Sequence, residues 1–418
     1  KGRGMSDTIL RTADGKPLKA ALMRASAVAR RRAFMLVLPL LAFVLITFVV
    51  PIGQMLSRSV TNDAFSANMP SVVAWFAANP EGTEPDEAAY AALVVDLVNA
   101  ANARTIGTVA TRINYDVSGT RSLFTSTGRK AKNMEAPFKD AVLAADEEWG
   151  DKVVWAAMRN ASAAVTTTFY QAATDRKLTD EGVYAKAPED LRVYLTLFWR
   201  TFVLSGAVTL LCLILGFPVA HLLARLPMRI SSLLMILVLL PFWTSLLVRT
   251  TSWMVLLQEQ GILNNMLVSL GILEDNGRLA LMYNQTGTII AMTHILLPFM
   301  ILPLYSVMKT IPITYTRAAR SLGATSWTTF RRIYVPQTIP GIGAGGILVF
   351  ILAVGYYITP ALVGGATGTL ISNQIAFHMQ DSLNWSLAAA LAAMLLAAVL
   401  ALYWVYDRLV GIDNMKLG

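Results

Sequence analysis

Six long runs of apolar residues limit what this chain can fold into more than any other feature of its sequence. A helix needs about 20 residues to cross the roughly 30 Å of hydrocarbon in a bilayer. The runs cover about residues 33–57, 197–224, 230–257, 281–308, 337–358 and 386–406. A water-soluble core cannot hold this much continuous apolar sequence, so the pattern predicts a membrane protein with six transmembrane helices.

The composition agrees with a membrane location. Hydrophobic residues make up 55% of the chain and charged residues only 15%, against roughly 25% in a typical soluble domain. The net charge of +9 would suit nucleic-acid binding, but the basic residues flank apolar runs rather than a soluble face. We therefore expect the lipid bilayer, and no nucleic acid, as a partner. The single cysteine, Cys212, lies in an apolar run and excludes an internal disulfide and a cysteine metal cluster.

The basic residues also predict the orientation of the chain. Residues 30–32, Arg225 with Arg229, and the cations within 309–332 all fall on one side of the six runs. That side is expected to be cytoplasmic, which places both termini in the cytoplasm. The first run resembles a signal peptide in its basic flank but is longer than the usual core of about 7–15 residues. We interpret it as an uncleaved transmembrane helix.

The longest segment between two runs, about residues 58–195, is expected outside the cytoplasm. Its stretches "DEAAYAALVVDLVNAANA" and "FKDAVLAADEEWGDKVVWAAM" place apolar residues three and four positions apart, which is typical of amphipathic helices. Period-two alternation is scarce, and no catalytic constellation is visible. The segment is therefore predicted to be a mainly helical domain. A docking or regulatory role and a simple spacer role both stay open.

These features together predict an all-α membrane protein with six transmembrane helices and a large, mainly helical extracytoplasmic insertion after the first span. The predicted parts are a cytoplasmic N-terminal segment (1–32), the first transmembrane helix (33–57), the extracytoplasmic domain (58–195), a five-helix transmembrane domain (196–410) with a loop at 309–337, and a cytoplasmic tail (411–418).

A basic stretch separates the fourth and fifth runs. It reads "YTRAARSLGATSWTTFRRIYVPQTIPGI" and has four arginines and no acidic residue. Ala318 and Ala319 are strong helix formers, and Gly323 is a natural helix stop. Thr325 or Ser326 can cap the helix that follows. The pattern predicts a helix, a glycine corner and a second helix on the cytoplasmic side.

The second of these helices is predicted to be amphipathic. Its apolar face is formed by Trp327, Phe330, Ile333 and Tyr334. Pro336 is expected to end it. An alternative for the whole stretch is a basic helical loop that lies on anionic lipid through residues such as Arg331 and Arg332.

The stretch resembles the cytoplasmic "EAA" loop of ATP-binding-cassette (ABC) importer permeases, in which Glu-Ala-Ala is followed by a glycine, an apolar residue and prolines near the next span. The matching positions are Ala318, Ala319, Gly323, Ile333, Pro336 and Pro340. The similarity continues through "LLPFWTSLLVRTTSWMVLLQ", "THILLPFMILPLYSVMK" and "GYYITPALVGG", and covers about residues 197–410. Together these segments resemble the spermidine/putrescine type of permease subunit.

The resemblance implies a coupling helix that docks in a groove on a cytoplasmic ATPase subunit. The residues that would form this contact are Tyr315, Arg317, Ala318, Ala319, Leu322, Gly323 and Ala324. Arg317 stands where the family usually has Glu, so the polar contact there requires a different partner group. The insertion at 58–195 is also far larger than in the simplest members, which weakens any transfer of substrate identity.

The resemblance also implies the assembly. We expect a bacterial inner-membrane protein that pairs with a second permease subunit as a heterodimer, with two ATPase subunits and with an extracytoplasmic substrate-binding protein. The chain contains no G-x-x-x-x-G-K-[ST] motif. We therefore expect ATP and Mg to be bound by the partner ATPase, and this chain to carry no cofactor and not to be an enzyme.

Several residues in or near the predicted spans are candidates for the translocation pathway or its gate. They are Trp243, Arg249, His294, Tyr356, Tyr357 and Pro360. A histidine within a span is costly and often functional, although a hydrogen bond to a neighbouring helix would also explain His294. Arg249 would either line the outer gate or extend to lipid headgroups. The aromatic side chains would offer cation–π contacts or simply pack.

The glycine- and proline-containing stretch "YYITPALVGGATG" interrupts an uncharged region of the chain. It is predicted to end a helix near Ile358 and to continue as an irregular outer loop. That loop would either line the pathway or lie on the surface.

The sequence is therefore interpreted as the permease subunit of an ATP-driven importer. A polyamine is the expected solute, and an amino acid, an opine-like compound or an iron complex is the alternative. A membrane-anchored receptor or assembly protein built around the helical domain is a second hypothesis, and a membrane enzyme a third. The widely separated His221, His294 and His378 and the scarcity of acids in the spans disfavour a metal site and an enzyme.

Overall fold

The computed structural model describes residues 18–410. This part of the chain is helical nearly throughout, which confirms the all-α prediction. Its two strands, Arg176–Leu178 and Tyr184–Lys186, form one small antiparallel hairpin. The predicted cytoplasmic tail, 411–418, and the first 17 residues of the predicted N-terminal segment lie outside the described residues. By its internal contacts the chain divides after Ser57 into two units, which are treated separately below.

The first unit contains one long apolar helix, Ser26–Arg58, whose last residue already belongs to the second unit. It corresponds to the span predicted at 33–57. A wider π-helical turn, Leu45–Val49, separates the α-helical parts Leu18–Val44 and Val50–Arg58. Pro51 follows directly. A proline ring clashes with the carbonyl group four residues earlier in a regular α-helix, and a π turn is one way to relieve that clash.

The second unit begins with a compact helical module, residues 63–163. Its α-helices are Asp63–Ser66, Pro70–Ala78, Glu87–Asn102, Ile106–Asn114, Thr120–Lys130, Phe138–Ala145 and Lys152–Ser162, with 3₁₀ turns at Ala131–Asn133 and Glu147–Gly150. The largest fully buried side chains in its core include Phe65, Tyr90, Leu93, Phe124 and Trp149. The prediction of a mainly helical insertion is confirmed.

Two aspartate side chains fix the positions of helices in the module. Asp86 caps the helix Glu87–Asn102, because its side chain accepts a hydrogen bond from the Ala89 amide at 3.0 Å. Asp96 is fully buried and accepts a hydrogen bond from the Val72 amide at 2.8 Å. Burial raises the pKa of the Asp96 carboxyl group, and this hydrogen bond opposes the rise by favouring the charged form.

The two ends of the module lie next to each other. Thr61 and Val165 form an isolated antiparallel bridge. The Asn62 amide donates to the Ala164 carbonyl at 3.0 Å, and the Thr166 amide donates to the Val60 carbonyl at 2.8 Å. Residues 63–163 are therefore an insertion with adjacent ends.

The chain after the module, residues 166–193, packs against both the module and the spans. It contains the helix Thr168–Ala173, the strand hairpin and a 3₁₀ turn at Glu189–Leu191. Leu178 lies against the module core, and Arg112 of the module lies over the Phe169 ring. Phe169 and Ala173 share a buried cluster with Leu197, Leu387 and Leu391 of the second and sixth spans.

Four continuous helices of the second unit are long and apolar enough to cross a membrane. They are Tyr194–Arg225, Gln285–Thr310, Ser326–Gly355 and Trp385–Arg408. With Ser26–Arg58 they give five spans in the described chain, and the bent pair Met228–Trp243 and Leu246–Ser269 gives a sixth if the pair is counted as one span. The predicted number of six is met in this way.

The third span, predicted as one span over about 230–257, is broken into two helical parts. Its two parts meet at an angle of 95°. The α-helix Met228–Leu239 tightens into a 3₁₀ turn at Leu240–Trp243, and a new helix starts at Leu246 and runs to Leu257, followed by Ile262–Ser269. Pro241 cannot donate a backbone hydrogen bond. Ser245 then caps the new helix by accepting from the Val248 amide at 3.2 Å.

The fifth span is longer than predicted, because Pro336 does not end the preceding helix. Helix Ser326–Thr329 passes through a π turn at Phe330–Tyr334 into Val335–Gly355. The arrangement repeats that of the first span, where a π turn also precedes a proline. The wider turn lets the chain remain helical where a regular α-helix would break.

The outer loop after the fifth span was predicted to be irregular, and that prediction is wrong. It forms short helices at Ile358–Val363, Gly365–Gly368 and Ile371–Gln380. The glycines instead allow this segment to pack closely against Thr288 of the fourth span. A Cβ on Gly368 would lie 2.5 Å from the Thr288 hydroxyl oxygen, and one on Gly364 would lie 2.7 Å from it.

The second, fourth and fifth spans form the central bundle. Its buried side chains include Val208, Cys212, Met292, Met300 and Val349. Gly345 of the fifth span faces Met300 so closely that an added Cβ would lie 2.8 Å from its sulfur and 3.2 Å from its carbonyl oxygen. Small residues at such crossings allow membrane helices to approach each other.

We predict that Gly345→Ala destabilises the bundle by about 1–3 kcal/mol, the usual cost of overpacking. Gly346→Ala is the matched control, because an added Cβ there meets nothing within 4 Å and alanine favours the helix. Thermal unfolding of the two purified variants in one detergent tests this. Equal unfolding midpoints for the two variants would contradict the close packing of Gly345 against Met300.

Candidate functional site

The segment between the fourth and fifth spans has the predicted helix, glycine corner and second helix. The first helix is Ile313–Ser321. Gly323 has φ +85°, and the chain closes as a Schellman motif, with the Gly323 amide donating to the Arg320 carbonyl and the Ala324 amide to the Ala319 carbonyl. Of the two predicted caps, Thr325 is the one used: its hydroxyl accepts from the Thr328 amide at 3.2 Å.

This first helix, which we call the inter-span helix, has two different faces. Tyr315 and Leu322 lie on one face at a spacing of seven residues, and they are 53% and 89% exposed. Ala318 lies between them and is also exposed. Large apolar side chains that are this exposed and grouped indicate a surface for another molecule.

The opposite face of the inter-span helix is basic. Arg317 and Arg320 line a cavity of about 450 Å³ together with Arg225 and Lys309, which lie in the last turns of the second and fourth spans. The resemblance assigned Arg317 to the ATPase contact together with Tyr315 and Leu322. In the structure, Arg317 instead lies on the basic face, next to the ends of the second and fourth spans.

Three of the predicted pathway residues come together where the broken third span meets the fourth and fifth spans. The Trp253 indole N–H donates to Nδ1 of His294 at 3.1 Å, with ring centroids 5.3 Å apart. Arg249 lies near both His294 and Tyr356. The Arg249 Nε atom is buried and has no hydrogen-bond partner among the described residues.

His294 therefore makes the interhelical hydrogen bond that was considered as its structural role. Its partner, Trp253, was missed, since an aromatic residue in an apolar run gives no sequence signal for a specific contact. The His294 side chain is exposed although its neighbours Thr293 and Ile295 are buried. It is thus exposed on the surface of this single chain, and a pathway role for it stays a prediction.

The other pathway candidates are not part of this cluster. Trp243 stands at the corner of the broken span and is 87% exposed. Tyr357 is 40% exposed, and its carbonyl accepts a hydrogen bond from the Asn373 side chain at 2.8 Å. Pro360 is buried within the short helix Ile358–Val363. Their proposed roles in the pathway or gate stay predictions.

The start of the second span is held by two polar groups that sequence reasoning missed. The Asp175 carboxylate accepts three hydrogen bonds, from the amides of Val193, Tyr194 and Leu195, at 3.0, 2.9 and 2.8 Å. The Tyr194 hydroxyl is 2.8 Å from Nε2 of His378. Burial lowers the pKa of His378, so its ring is neutral near pH 7.

A second cavity, of about 550 Å³, lies between the helical module and the start of the sixth span. Arg58 lies over the ring of Trp385 at 5.9 Å. Arg112 is buried beside it and donates to Asn62 at 2.5 Å and to Thr168 at 3.1 Å. These contacts join the module to the chain that packs on the spans. In the described part of the chain, no group of three His, Cys, Asp or Glu side chains is arranged to hold a metal ion.

Comparison with known proteins identifies the spans. Residues 195–411 match the family model of the binding-protein-dependent transport system inner membrane component. The chain is 36% identical over 225 residues to the spermidine/putrescine transport system permease protein PotB of Haemophilus influenzae, which covers 54% of this chain and 78% of that protein. It is 37% identical over 222 residues to PotB of Escherichia coli, covering 52% of this chain and 80% of that protein.

Among solved structures, a bacterial alginate ABC transporter in complex with an alginate pentasaccharide-bound periplasmic protein aligns with 54% of this chain and 80% of its own. The TM-score is 0.46 and the sequence identity 19%.

The family match begins one residue after the start of the second span, and it contains the inter-span helix and every later span. The helical module precedes it. The resemblance found in the "RAARSLG" stretch is thereby confirmed. Because the match extends over more than half of the chain, the protein belongs to the family of binding-protein-dependent transport system inner membrane components, the permease subunits of ABC importers.

Proposed function

We propose that the solute carried through this permease is a polyamine of the spermidine/putrescine class. The supporting observation is the 36–37% identity to PotB proteins over most of their length. The alternatives are an amino acid, an opine-like compound or an iron complex.

The charge distribution of the spans bears on how such a solute is recognised. Within the described spans the acidic residues are Glu259, which is exposed in the turn that follows Leu257 of the broken third span, and Asp407, at the end of the sixth. A polycation therefore meets no carboxylate inside the bundle. Selection is assigned to the binding protein, and aromatic faces such as those of Trp253 and Tyr356 supply weak cation–π contacts along the way.

Uptake by the reconstituted importer tests the solute. Proteoliposomes that contain the complex, with ATP inside and the binding protein outside, are offered radiolabelled spermidine, putrescine, an amino acid and an iron chelate. We expect saturable, ATP-dependent uptake of the two polyamines. If only the amino acid or the chelate is taken up, the polyamine assignment is wrong and the permease assignment still stands.

The assembly is proposed from the family and from the two faces of the inter-span helix. We place its exposed apolar face, Tyr315, Ala318 and Leu322, against a cytoplasmic ATPase subunit, with Ala319, Gly323 and Ala324 shaping the corner. A second permease subunit, two ATPase subunits and an extracytoplasmic binding protein complete the complex. ATP and Mg are bound by the ATPase, so this chain is not itself an enzyme. In this topology both termini are cytoplasmic.

We assign the helical module to docking of the binding protein on the extracytoplasmic side. Its position supports this: it lies beside Trp385, at the end of the sixth span that is remote from the basic residue Arg408. The cavity between the module and Trp385 offers both charged and aromatic side chains to a partner.

Excision of the module is predicted to weaken docking without unfolding the spans. Asn62 and Ala164 are already hydrogen-bonded neighbours, so residues 63–163 can be replaced by an Asn-Gly turn, which suits a two-residue hairpin connection. We expect the KM for the loaded binding protein to rise about tenfold, equivalent to 1.4 kcal/mol, while the maximal rate persists. An unchanged KM would show that the module is a spacer.

A further inference from the structure

We propose that the cavity beside the inter-span helix binds the phosphate headgroup of an anionic phospholipid. This basic pocket is lined by residues at the ends of the second and fourth spans and by the inter-span helix, among them Arg225, Lys309, Arg317 and Arg320. It has a volume of about 450 Å³. The inference concerns lipid and does not depend on which solute is transported.

The charges of the pocket are uncompensated. Four of its lining residues are cations and none is acidic. The side chains of Arg317 and Arg320 form no hydrogen bond or ion pair with any residue of the described chain. Lys309 reaches only the Ala224 carbonyl, at 3.4 Å, and the Arg225 guanidinium lies 5.3 Å from the centre of the Tyr334 ring. Four cations that converge without a counter-charge favour an anion with several acceptor oxygens.

The position of the pocket favours an anion from the bilayer. Arg225 is the last residue of the second span, and Lys309 is the last but one of the fourth. The ends of spans lie at the level of the headgroups, where lipid phosphates are concentrated. The pocket also has an apolar side, formed by Met308, Ile311 and Ile313, which suits the glycerol and first acyl carbons of a lipid better than a free phosphate ion.

The two faces of the inter-span helix separate lipid from protein. Arg317 and Arg320 turn toward the span ends, whereas Tyr315 and Leu322 turn away from them. A soluble partner that docks on the apolar face does not meet the two arginines directly. A lipid phosphate would therefore be the partner group that Arg317 requires in place of the contact made by a glutamate in related permeases.

Native mass spectrometry of the purified importer complex tests the proposal directly. The complex is titrated with phosphatidylglycerol and, separately, with zwitterionic phosphatidylcholine. We expect saturable binding of phosphatidylglycerol alone. The double variant Arg225→Gln/Lys309→Gln should weaken this binding by about 25-fold, since each cation near a lipid surface contributes about fivefold.

The matched control is Arg331→Gln/Arg332→Gln. It also removes two exposed cations of the same segment, which do not line the pocket. We expect it to bind phosphatidylglycerol like the unchanged complex. Equal losses in both double variants would overturn the pocket, because binding would then follow net charge alone. Thermal unfolding of each variant confirms that the complex is intact.

Two further arms identify the source of the anion. Inorganic phosphate and glycerol 3-phosphate are added as competitors, and displacement of the lipid at equal concentrations would overturn the lipid assignment in favour of a free anion. The variant Arg317→Gln/Arg320→Gln should lose phosphatidylglycerol and keep its ATPase subunits. If it keeps the lipid and loses the ATPase, the pocket takes carboxylates of that subunit and the proposal is wrong.

Discussion

Replacing Gly323 with valine is expected to lower binding-protein-dependent uptake by at least about tenfold, while the chain still inserts and assembles. Gly323 has φ +85°, a region in which a β-branched residue is an outlier and an ordinary L-residue costs about 1–2 kcal/mol. The space around its Cβ position is open. The effect therefore comes from the backbone, which must leave the Schellman corner and change the angle between the inter-span helix and the fifth span.

Two variants separate this cause from a general loss of stability. Gly323→Asn should retain most uptake, because asparagine tolerates the left-handed region better than other non-glycine residues. Gly206→Val places the same side chain in a regular helix where an added Cβ meets nothing within 4 Å, and should have little effect.

The measurement compares uptake with ATP hydrolysis in proteoliposomes. In the proposed coupling role of this corner, Gly323→Val continues to hydrolyse ATP at the basal rate but no longer responds to the loaded binding protein. Normal uptake by Gly323→Val, with hydrolysis still stimulated by the binding protein, would show that the corner does not transmit the ATPase motion.

The corner could be predicted from sequence because every signal for it is local. Two alanines favour the helix, Gly323 permits the left-handed turn and Thr325 caps the next helix, all within eight residues. The apolar runs were equally readable, since the length needed to cross a bilayer is fixed by helix geometry. Such features depend on neighbours in the chain and not on the tertiary fold.

The errors arose where prolines and glycines have more than one structural use. Pro241 lies where the third span breaks, yet Pro336 follows a π turn inside a continuous helix. The choice depends on whether the preceding turn can widen, which the sequence does not encode locally. Gly364 and Gly368 were interpreted as helix breakers, whereas they permit close contact with Thr288.

The candidate sites were only partly predictable, because their members are distant in sequence. Arg249 and His294 were selected as ionisable residues in spans, but nothing local indicated that Trp253 would bind His294. The basic pocket joins Arg225 to Lys309 and Arg317 from three separate elements. In each case the sequence drew attention to the charged residues but did not show which residues they contact.

Asp175 is the clearest example, and its replacement by alanine is expected to have the largest effect on stability. Its carboxylate is 4% exposed and accepts from the three amides that open the second span. These amides have no partner within the helix, so removing the carboxylate leaves them unsatisfied. Asp175 also has φ +56°, a conformation that aspartate tolerates better than alanine does.

We expect Asp175→Ala to destabilise the protein by about 3 kcal/mol, from the loss of charge-assisted hydrogen bonds at a helix start. The apparent midpoint of thermal unfolding in detergent should fall by about 5 °C. The midpoint of Asp175→Asn should fall by less, because asparagine keeps one acceptor oxygen and tolerates the positive φ.

Asp180→Ala is the matched control. Asp180 lies in the turn of the same strand hairpin, is exposed and caps no helix, so its loss should leave the midpoint unchanged. Equal unfolding midpoints for Asp175→Ala and Asp180→Ala would mean that the three hydrogen bonds accepted by Asp175 contribute nothing to stability. A selective fall for Asp175→Ala, with normal uptake at a temperature well below its midpoint, would assign Asp175 to anchoring the second span rather than to transport itself.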